Sequence, residues 1–223
     1  MLTDLLRESY TAEFDECWER ERTATPVRAF AVRLHATGCS LRETQAILCS
    51  LGVERSHQAI WHWVHRLADS VPDPPTAKPS WVAVDETAVK INGNRSWMYA
   101  AIDLDMKLIL DVALFGRRGT DPAAAFLHGL TEKHDLSEVE FLVDGAGYLT
   151  ALSIRIERSS QLHRSKPHRK VFHTLKMRVD RFHNSWVGSR ASVREWLEQF
   201  SHYYNTQRPH QSLNGQTPAE VLN

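Results

Sequence analysis

Trp81-Val-Ala-Val-Asp85 and Glu140-Phe-Leu-Val-Asp144 are two short apolar stretches, and each of them ends on a single aspartate. Apolar runs of this length are consistent with buried strands. A carboxylate at the end of a buried strand is costly to desolvate unless a cation compensates it. Two such carboxylates, far apart in sequence and alike in setting, therefore predict one shared divalent metal site.

The segment that begins at Trp81 is predicted to form three antiparallel strands, a crossover helix and a further strand. This is the opening order of the ribonuclease H-like fold, and the pattern from residue 168 through Tyr204 is helical again. The predicted elements are strands Trp81–Ile91, Trp97–Leu104, Leu108–Phe115 and Val139–Val143, a hairpin turn at Asn92-Gly93-Asn94, and a helix from Thr120 through Leu130.

Residues 26–68 are predicted to form three helices, the second of which begins with the capping box Ser40-Leu-Arg-Glu43. Short helices joined by glycine-containing turns are typical of the helix-turn-helix, although any small helical bundle would show the same pattern. The third helix has an apolar stripe of Ile60, Trp63, Val64 and Leu67. The side chains predicted to lie off that stripe and to contact DNA are Gln58, Trp61, His62 and His65.

These patterns predict a chain of the α+β class with two domains. A helix-turn-helix DNA-binding region occupies residues 1–68, of which residues 1–25 form a charged arm. Residues 69–80 contain four prolines and are predicted to form a semi-rigid linker. Residues 81–223 are expected to form a ribonuclease H-like α/β catalytic domain with carboxy-terminal helices.

Bulk composition excludes several classes of protein. The 27 basic and 27 acidic residues cancel, so net charge alone does not indicate a polyanionic partner. The three cysteines form no C-x-x-C pair, which argues against a disulfide framework or a zinc site and fits a reducing cytosol. The first residues lack the pattern of a signal peptide and no apolar run is long enough to span a bilayer, so neither a signal peptide nor a membrane span is expected. A cytoplasmic, nucleoid-associated protein without a membrane partner is expected.

The charge of one segment, unlike the net charge, indicates that the protein binds nucleic acid. The segment Arg155–Arg181 contains nine basic residues and only two acids, Glu157 and Asp180. Phosphates attract such a stretch by counterion release, whereas a solvated helix face usually mixes both signs. The basic residues predicted to contact DNA are Lys170, Lys176, Arg178 and Arg181.

The aspartates at the two strand ends indicate which reaction the protein catalyses. In the ribonuclease H-like layout the first and fourth strands are neighbours, so Asp85 and Asp144 are expected to face each other across a metal, although either alone could be a strand-end cap. Carboxylates suit Mg²⁺ or Mn²⁺, which can promote in-line attack on a phosphodiester. Asp103 is an acidic neighbour, and Glu86 alternates to the opposite face of the strand.

Several short runs, in order along nearly the whole chain, match one known family. They are Ser40-Leu-Arg-Glu-Thr44, Ser56-His-Gln-Ala-Ile-Trp61, Trp63-Val-His-Arg-Leu-Ala68, Val84-Asp-Glu-Thr87, Leu114-Phe-Gly-Arg-Arg-Gly-Thr-Asp-Pro122, Val143-Asp-Gly-Ala-Gly147, Leu175-Lys-Met-Arg178, Tyr204-Asn-x-x-Arg-Pro-His210 and Thr217-Pro-Ala-Glu220. On these residues the chain resembles the short insertion-sequence transposases of the DDE, retroviral-integrase-like superfamily, of the type called insertion sequence six.

The resemblance implies an enzyme that binds element ends, and cuts and joins DNA with Mg²⁺ as an oligomer. It makes Asp85 and Asp144 the first two catalytic carboxylates. The third is a glutamate in the family pattern, but Arg169 stands at that position here. Glu195 and Glu198, on a later amphipathic helix, are expected to face solvent. Three hypotheses remain open: an active transposase, a catalytically defective copy that only binds DNA, or a ribonuclease H-like nuclease of another kind.

Overall fold

The computed structural model describes residues 18, 21–68, 70, 74–143, 162–163 and 189–222. It divides the chain into two compact units. One unit comprises Met1–Pro72 with Glu195–Tyr203, and the other comprises Asp73–Arg194 with Tyr204–Asn223. The domain boundaries and the linker inferred from the sequence stay predictions.

Three helices form the first unit's described amino-terminal part: α1 (Thr25–Ala36), α2 (Leu41–Ser50) and α3 (His57–Ala68). The predicted capping box is present at the start of α2. Glu43 N donates to Ser40 Oγ at 3.2 Å, and Ser40 N donates to Glu43 Oε2 at 2.7 Å. The prediction of three helices is therefore confirmed, whereas their role as a helix-turn-helix stays a prediction.

The core of this unit is built on the apolar stripe of α3. Ile60, Trp63, Val64 and Leu67 are all buried, as the spacing predicts. Trp18 packs into the same cluster and donates from Nε1 to the carbonyl of Trp63 at 3.1 Å. Because the stripe is filled, the opposite side of α3 is left for other contacts.

The elements of the second unit's sheet and its crossover helix are β1 (Trp81–Ile91), β2 (Asn94–Asp103), β3 (Ile109–Phe115), α4 (Thr120–Lys133), β4 (Glu140–Val143) and β5 (Leu162–His163). The strands form a mixed five-stranded sheet in the order β3-β2-β1-β4-β5. β1 and β2 are antiparallel, as are β2 and β3, whereas β1 and β4 run parallel, as do β4 and β5. Helix α4 provides the crossover from β3 to β4.

The turn between β1 and β2 is the predicted hairpin. Asn92 has φ 50° and Gly93 has φ 78°, so both residues at the turn are in the left-handed region. That combination is typical of a type I′ turn, whose twist matches that of the flanking strands. The strands then pair without interruption from Ile91 with Asn94 to Val82 with Asp103.

Helix α4 covers one face of the sheet. Val82 and Val84 of β1 pack there with Tyr99 of β2, and Phe126 and Leu130 of α4 complete the cluster. Successive side chains of a strand point to opposite faces. The odd-numbered residues of β1 therefore lie on the face away from α4.

The carboxy-terminal elements are α5 (Arg190–Thr206), a 3-10 turn (Gln211–Leu213) and α6 (Pro218–Leu222). Helix α5 confirms the later part of the helical pattern, and residues 168–188 lie outside the described residues. Within the described ranges, no helix is both long and apolar enough to cross a bilayer.

Candidate active site and nucleic-acid interface

Asp85 lies in β1, on the face of the sheet away from α4. It pairs with Ala100 of β2, and its neighbour Val84 pairs with Val143 of β4. The side chain is half-buried, and its Oδ1 accepts a hydrogen bond from the backbone N–H of Glu86 at 2.8 Å. This bond and the paired strands on both sides give the carboxylate a defined position.

The second predicted carboxylate, Asp144, lies outside the described residues. Its predecessor Val143 ends β4 and is the last described residue to pair with β1. Asp85 and Asp144 are thus the residues that directly follow the pair Val84 and Val143 in the sequence. Arg169 and the basic residues Lys170, Lys176, Arg178 and Arg181 also lie outside the described ranges, and their predicted roles stay predictions.

Glu86 lies on the α4 side of the sheet, as strand alternation predicts. Its side chain is 9% exposed, and its Oε1 lies 2.5 Å from Nη2 of Arg118. The guanidinium of Arg118 also lies over the ring of Trp97, with its carbon 5.3 Å from the ring centroid. Arg118 was not predicted as the partner of Glu86. The sequence does contain a signal for it, because Glu86 alternates to the α4 side of the sheet and Arg117-Arg118 lie just before α4.

Asp103 acts in the structure as a turn residue. It is fully buried, and its Oδ1 accepts hydrogen bonds from Asp105 N at 2.7 Å and Met106 N at 3.0 Å. Burial raises the pKa of this carboxyl above its ordinary value. Asp103 pairs with Val82, three residues from Asp85 along β1, or about 10 Å. It therefore stabilises the β2–β3 turn rather than extending the Asp85 site.

The predicted recognition face of α3 is mostly open. Gln58, Trp61 and His62 are exposed, with Trp61 at 39%. His65 differs, because it is half-buried, contacts Oε2 of Glu195 through its Nδ1, and has its ring centroid 3.7 Å from that of Trp61. The ring of His65 therefore packs against the ring of Trp61.

The solvent-facing prediction for Glu195 and Glu198 needs one correction. Glu198 is exposed, but Glu195 is half-buried because its carboxylate is drawn to His65 of α3. An apolar periodicity on one helix cannot indicate a polar partner on another. Among the described residues, no group of three or more His, Cys, Asp or Glu side chains is arranged to hold a metal.

The motif Tyr204-Asn-x-x-Arg-Pro-His210 is packed into the second unit. Asn205 accepts from Ile109 N at 2.9 Å and donates to Ile109 O at 2.9 Å, which anchors the start of β3. Arg208 lies over the ring of Tyr204, and the ring of His210 meets Tyr204 edge-on at 4.7 Å. These contacts give the motif a structural role.

His210 makes the stability of the protein sensitive to acid. Burial, and then the charge of Arg208, lowers the pKa of His210 below its ordinary value of 6.5. In acid the unfolded chain therefore binds a proton at His210 more readily than the folded chain does. The free energy of unfolding consequently falls as the pH drops below about 6.5. The expected loss is at most about 1.4 kcal/mol for each pH unit over which folded His210 stays neutral.

Urea unfolding of the wild type and of His210→Asn over pH 5 to 8 measures this effect, and the variant is expected to show the shallower profile. His35 of the first unit also has a pKa lowered by burial, so part of the acid sensitivity is expected to remain. His62→Asn, at an exposed position, is the control. Identical profiles for the wild type and His210→Asn would contradict the assignment.

Comparison with solved structures gives matches to chains of retroviral integrases. The catalytic core of BIV integrase superimposes with a TM-score of 0.43 and 11% identity, covering 65% of this chain and 94% of that one. A chain of the simian T-cell lymphotropic virus intasome with the PP2A regulatory subunit B56 gamma gives 0.49 and 10%, covering 86% and 72%. The HTLV-2 integrase catalytic core in complex with magnesium, in a trimeric form, gives 0.46 and 9%, covering 67% and 99%.

Comparison of sequences identifies the family. An uncharacterized protein of Methanocaldococcus jannaschii, MJ0017, is 24% identical over 194 residues, which cover 84% of this chain and 89% of that protein. Residues 79–213 match a family profile described as a DDE domain, of the IS240 transposase type. Since this match spans more than half of the chain and includes β1 with Asp85, the protein belongs to the DDE transposase domain family.

Proposed function

We propose that this protein is a DNA transposase of the insertion-sequence-six type, which binds element ends and catalyses metal-dependent strand cleavage and strand transfer. Family membership supports the reaction class. The observation that carries the proposal is the parallel register of β1 and β4, in which Val84 pairs with Val143. If that register continues by one residue, Asp85 and Asp144 become neighbours on the same face of the sheet.

The chemistry of the donor set fits a hard divalent cation. Asp85 offers a half-buried carboxylate, and carboxylate oxygens are the ligands that Mg²⁺ and Mn²⁺ prefer. Its Oδ1 already accepts the N–H of Glu86, which orients the group before any ligand arrives. Asp85 and Asp144 would hold the metal.

In the proposed reaction the protein positions the scissile phosphate at the half-buried carboxylate of Asp85 on β1. The two carboxylates would hold the divalent ions and balance their positive charge, and the N–H of Glu86 keeps Asp85 from rotating away. When bound, the divalent ions would supply activation of the attacking oxygen and stabilisation of the leaving one. Water attacks first at an element end, and the freed 3′-hydroxyl then attacks target DNA.

Binding of DNA is proposed for two parts of the chain. The exposed face of α3, with Gln58, Trp61 and His62, has hydrogen-bonding and aromatic tips suited to the major groove. The basic segment Arg155–Arg181 would contact phosphates. The insertion-sequence transposases that the chain resembles act as oligomers, so a homo-oligomer on DNA in the nucleoid of the cytoplasm is proposed.

One observation favours a second function. Arg169 stands where the family pattern has its third carboxylate, and a cation there removes a ligand and repels the metal. A protein with this change would occupy element ends without cutting them. It could also inactivate oligomers of an intact copy.

A strand-transfer assay separates the two functions. Labelled duplexes from the DNA that flanks the reading frame are incubated with full-length protein, a target plasmid and Mg²⁺ or Mn²⁺. The active transposase is expected to give joined product. Binding without joining by the wild type, together with joining by Arg169→Glu, would establish the defective copy. Absence of binding and joining by both proteins would overturn the proposal.

A further inference from the structure

We infer that the tip of the β1–β2 hairpin and the start of α5 form a second phosphate-binding surface. This surface binds the DNA strand at a point a few nucleotides from the reacting bond. This inference rests on the proposed function, since it names a further contact to the same nucleic acid. The surface, called here the hairpin groove, is a cavity of about 340 Å³ lined by Ile91, Asn92, Asn94, Ser96, Ser189 and Arg190.

Arg190 is the cation of this groove, and the structure holds it in place. Its Nη2 donates to Oγ of buried Ser96 at 3.2 Å. The same atom lies 2.9 Å from the position that a Cβ on Gly116 would occupy, so the absence of a side chain at Gly116 leaves room for the guanidinium. Arginine has five N–H donors, and within the described ranges no carboxylate pairs with this one.

The groove lies on the same face of the sheet as Asp85. Ser96 pairs with Val89, and Val89 is four residues from Asp85 along β1, so both point to the face away from α4. Four residues of strand span about 13 Å. Along the helix axis of B-form DNA this equals roughly four base pairs, at about 3.4 Å each. A strand whose scissile phosphate lies at Asp85 would reach Arg190 with a phosphate a few nucleotides away.

The other face of the hairpin tip is also cationic. Lys90 and Arg95 are directly paired across the strands, and both are exposed. Like charges in directly opposite positions destabilise a sheet, and no acid among the described residues pairs with either of them. Arg194, also exposed, follows Arg190 by one turn of α5. An anion that bridges Lys90 and Arg95 would relieve the repulsion between them, and a phosphate backbone supplies several anions at a regular spacing.

The test measures how salt affects DNA binding. Full-length protein is titrated into a fluorescein-labelled duplex at several NaCl concentrations, and affinity is read from anisotropy. Arg190→Ala is expected to weaken binding to all sequences and to reduce the slope of log affinity against log salt by about 1. The double variant Lys90→Ala, Arg95→Ala is expected to reduce it by about 2. Gly116→Ala, which crowds Arg190, is expected to resemble Arg190→Ala.

The matched control is Arg117→Ala, since Arg117 is an exposed arginine of the same unit that already pairs with Asp121 at 2.6 Å. Circular dichroism checks that each variant is folded. If the wild type binds and cuts DNA while Arg190→Ala and the double variant keep the full slope, the hairpin groove is wrong and the proposed function stands. If the wild type has no affinity for DNA, both fail together.

Discussion

Asp85→Asn is expected to reduce strand cleavage by at least about 10³-fold while DNA binding stays intact. The substitution replaces one carboxylate oxygen of Asp85 with an amide nitrogen. It removes the negative charge that would attract the metal and keeps the shape of the side chain. A metal ion supplies several kcal/mol of transition-state stabilisation in phosphoryl transfer, and about 4 kcal/mol corresponds to 10³-fold in rate. The backbone bond from Glu86 N at 2.8 Å can still be accepted by the amide oxygen, so the fold is expected to survive.

The measurement pairs a cleavage assay in Mg²⁺ with anisotropy binding to the same duplex. Asp105→Asn is the matched control, because this aspartate is exposed and lies in the β2–β3 turn rather than at the site. A variant at Asp85 that still cuts at the wild-type rate would place the reacting centre elsewhere. Loss of binding together with cleavage would point to a folding defect instead.

Phe126→Ala is expected to lower the free energy of unfolding by about 3–5 kcal/mol. Phe126 is 2% exposed and packs in the cluster between α4 and the sheet, with its ring centroid 5.9 Å from that of Tyr99. Truncation leaves a cavity that neighbouring side chains on β1 and β2 can fill only in part. The effect is large because the ring is buried in the cluster that covers the face of the sheet opposite to Asp85.

Equilibrium denaturation in urea, followed by far-ultraviolet circular dichroism, measures the loss. Val221→Ala is the control, since Val221 is 37% exposed in the same unit and its truncation is expected to change stability by less than about 0.5 kcal/mol. A Phe126→Ala variant as stable as the wild type would show that α4 does not support the sheet through this ring.

Local patterns predicted most of the elements that surround the site. The apolar runs and the Asn92-Gly93 turn predicted β1 and its hairpin, because alternation and left-handed turn residues act over a few neighbours. The stripe of Ile60 and Trp63 likewise predicted which side of α3 is buried. Strand ends differed by a few residues: β2 begins at Asn94 rather than Trp97, since pairing with β1 extends it to the turn.

Polar partners distant in sequence were not predictable in the same way. Glu195 pairs with His65 across 130 residues of chain, and Arg190 meets Ser96 across 94. No periodicity of either segment indicates which acid or hydroxyl will lie opposite. The same holds for Asn205, whose amide anchors the backbone of Ile109. Such contacts depend on where whole elements pack, which is a property of the assembled unit.

The residue order by itself determined the kinds of element, the turn chemistry and the two strand-end aspartates, because each depends on neighbours within a few positions. Only the tertiary structure decided the register that places Val84 of β1 beside Val143 of β4, the choice of Arg118 as the partner of Glu86, and the reach of an arginine from α5 to the face of Asp85. The physical reason is that strand pairing and side-chain packing join residues far apart in the chain. Their free energy is gained only when the sheet and its helices have come together.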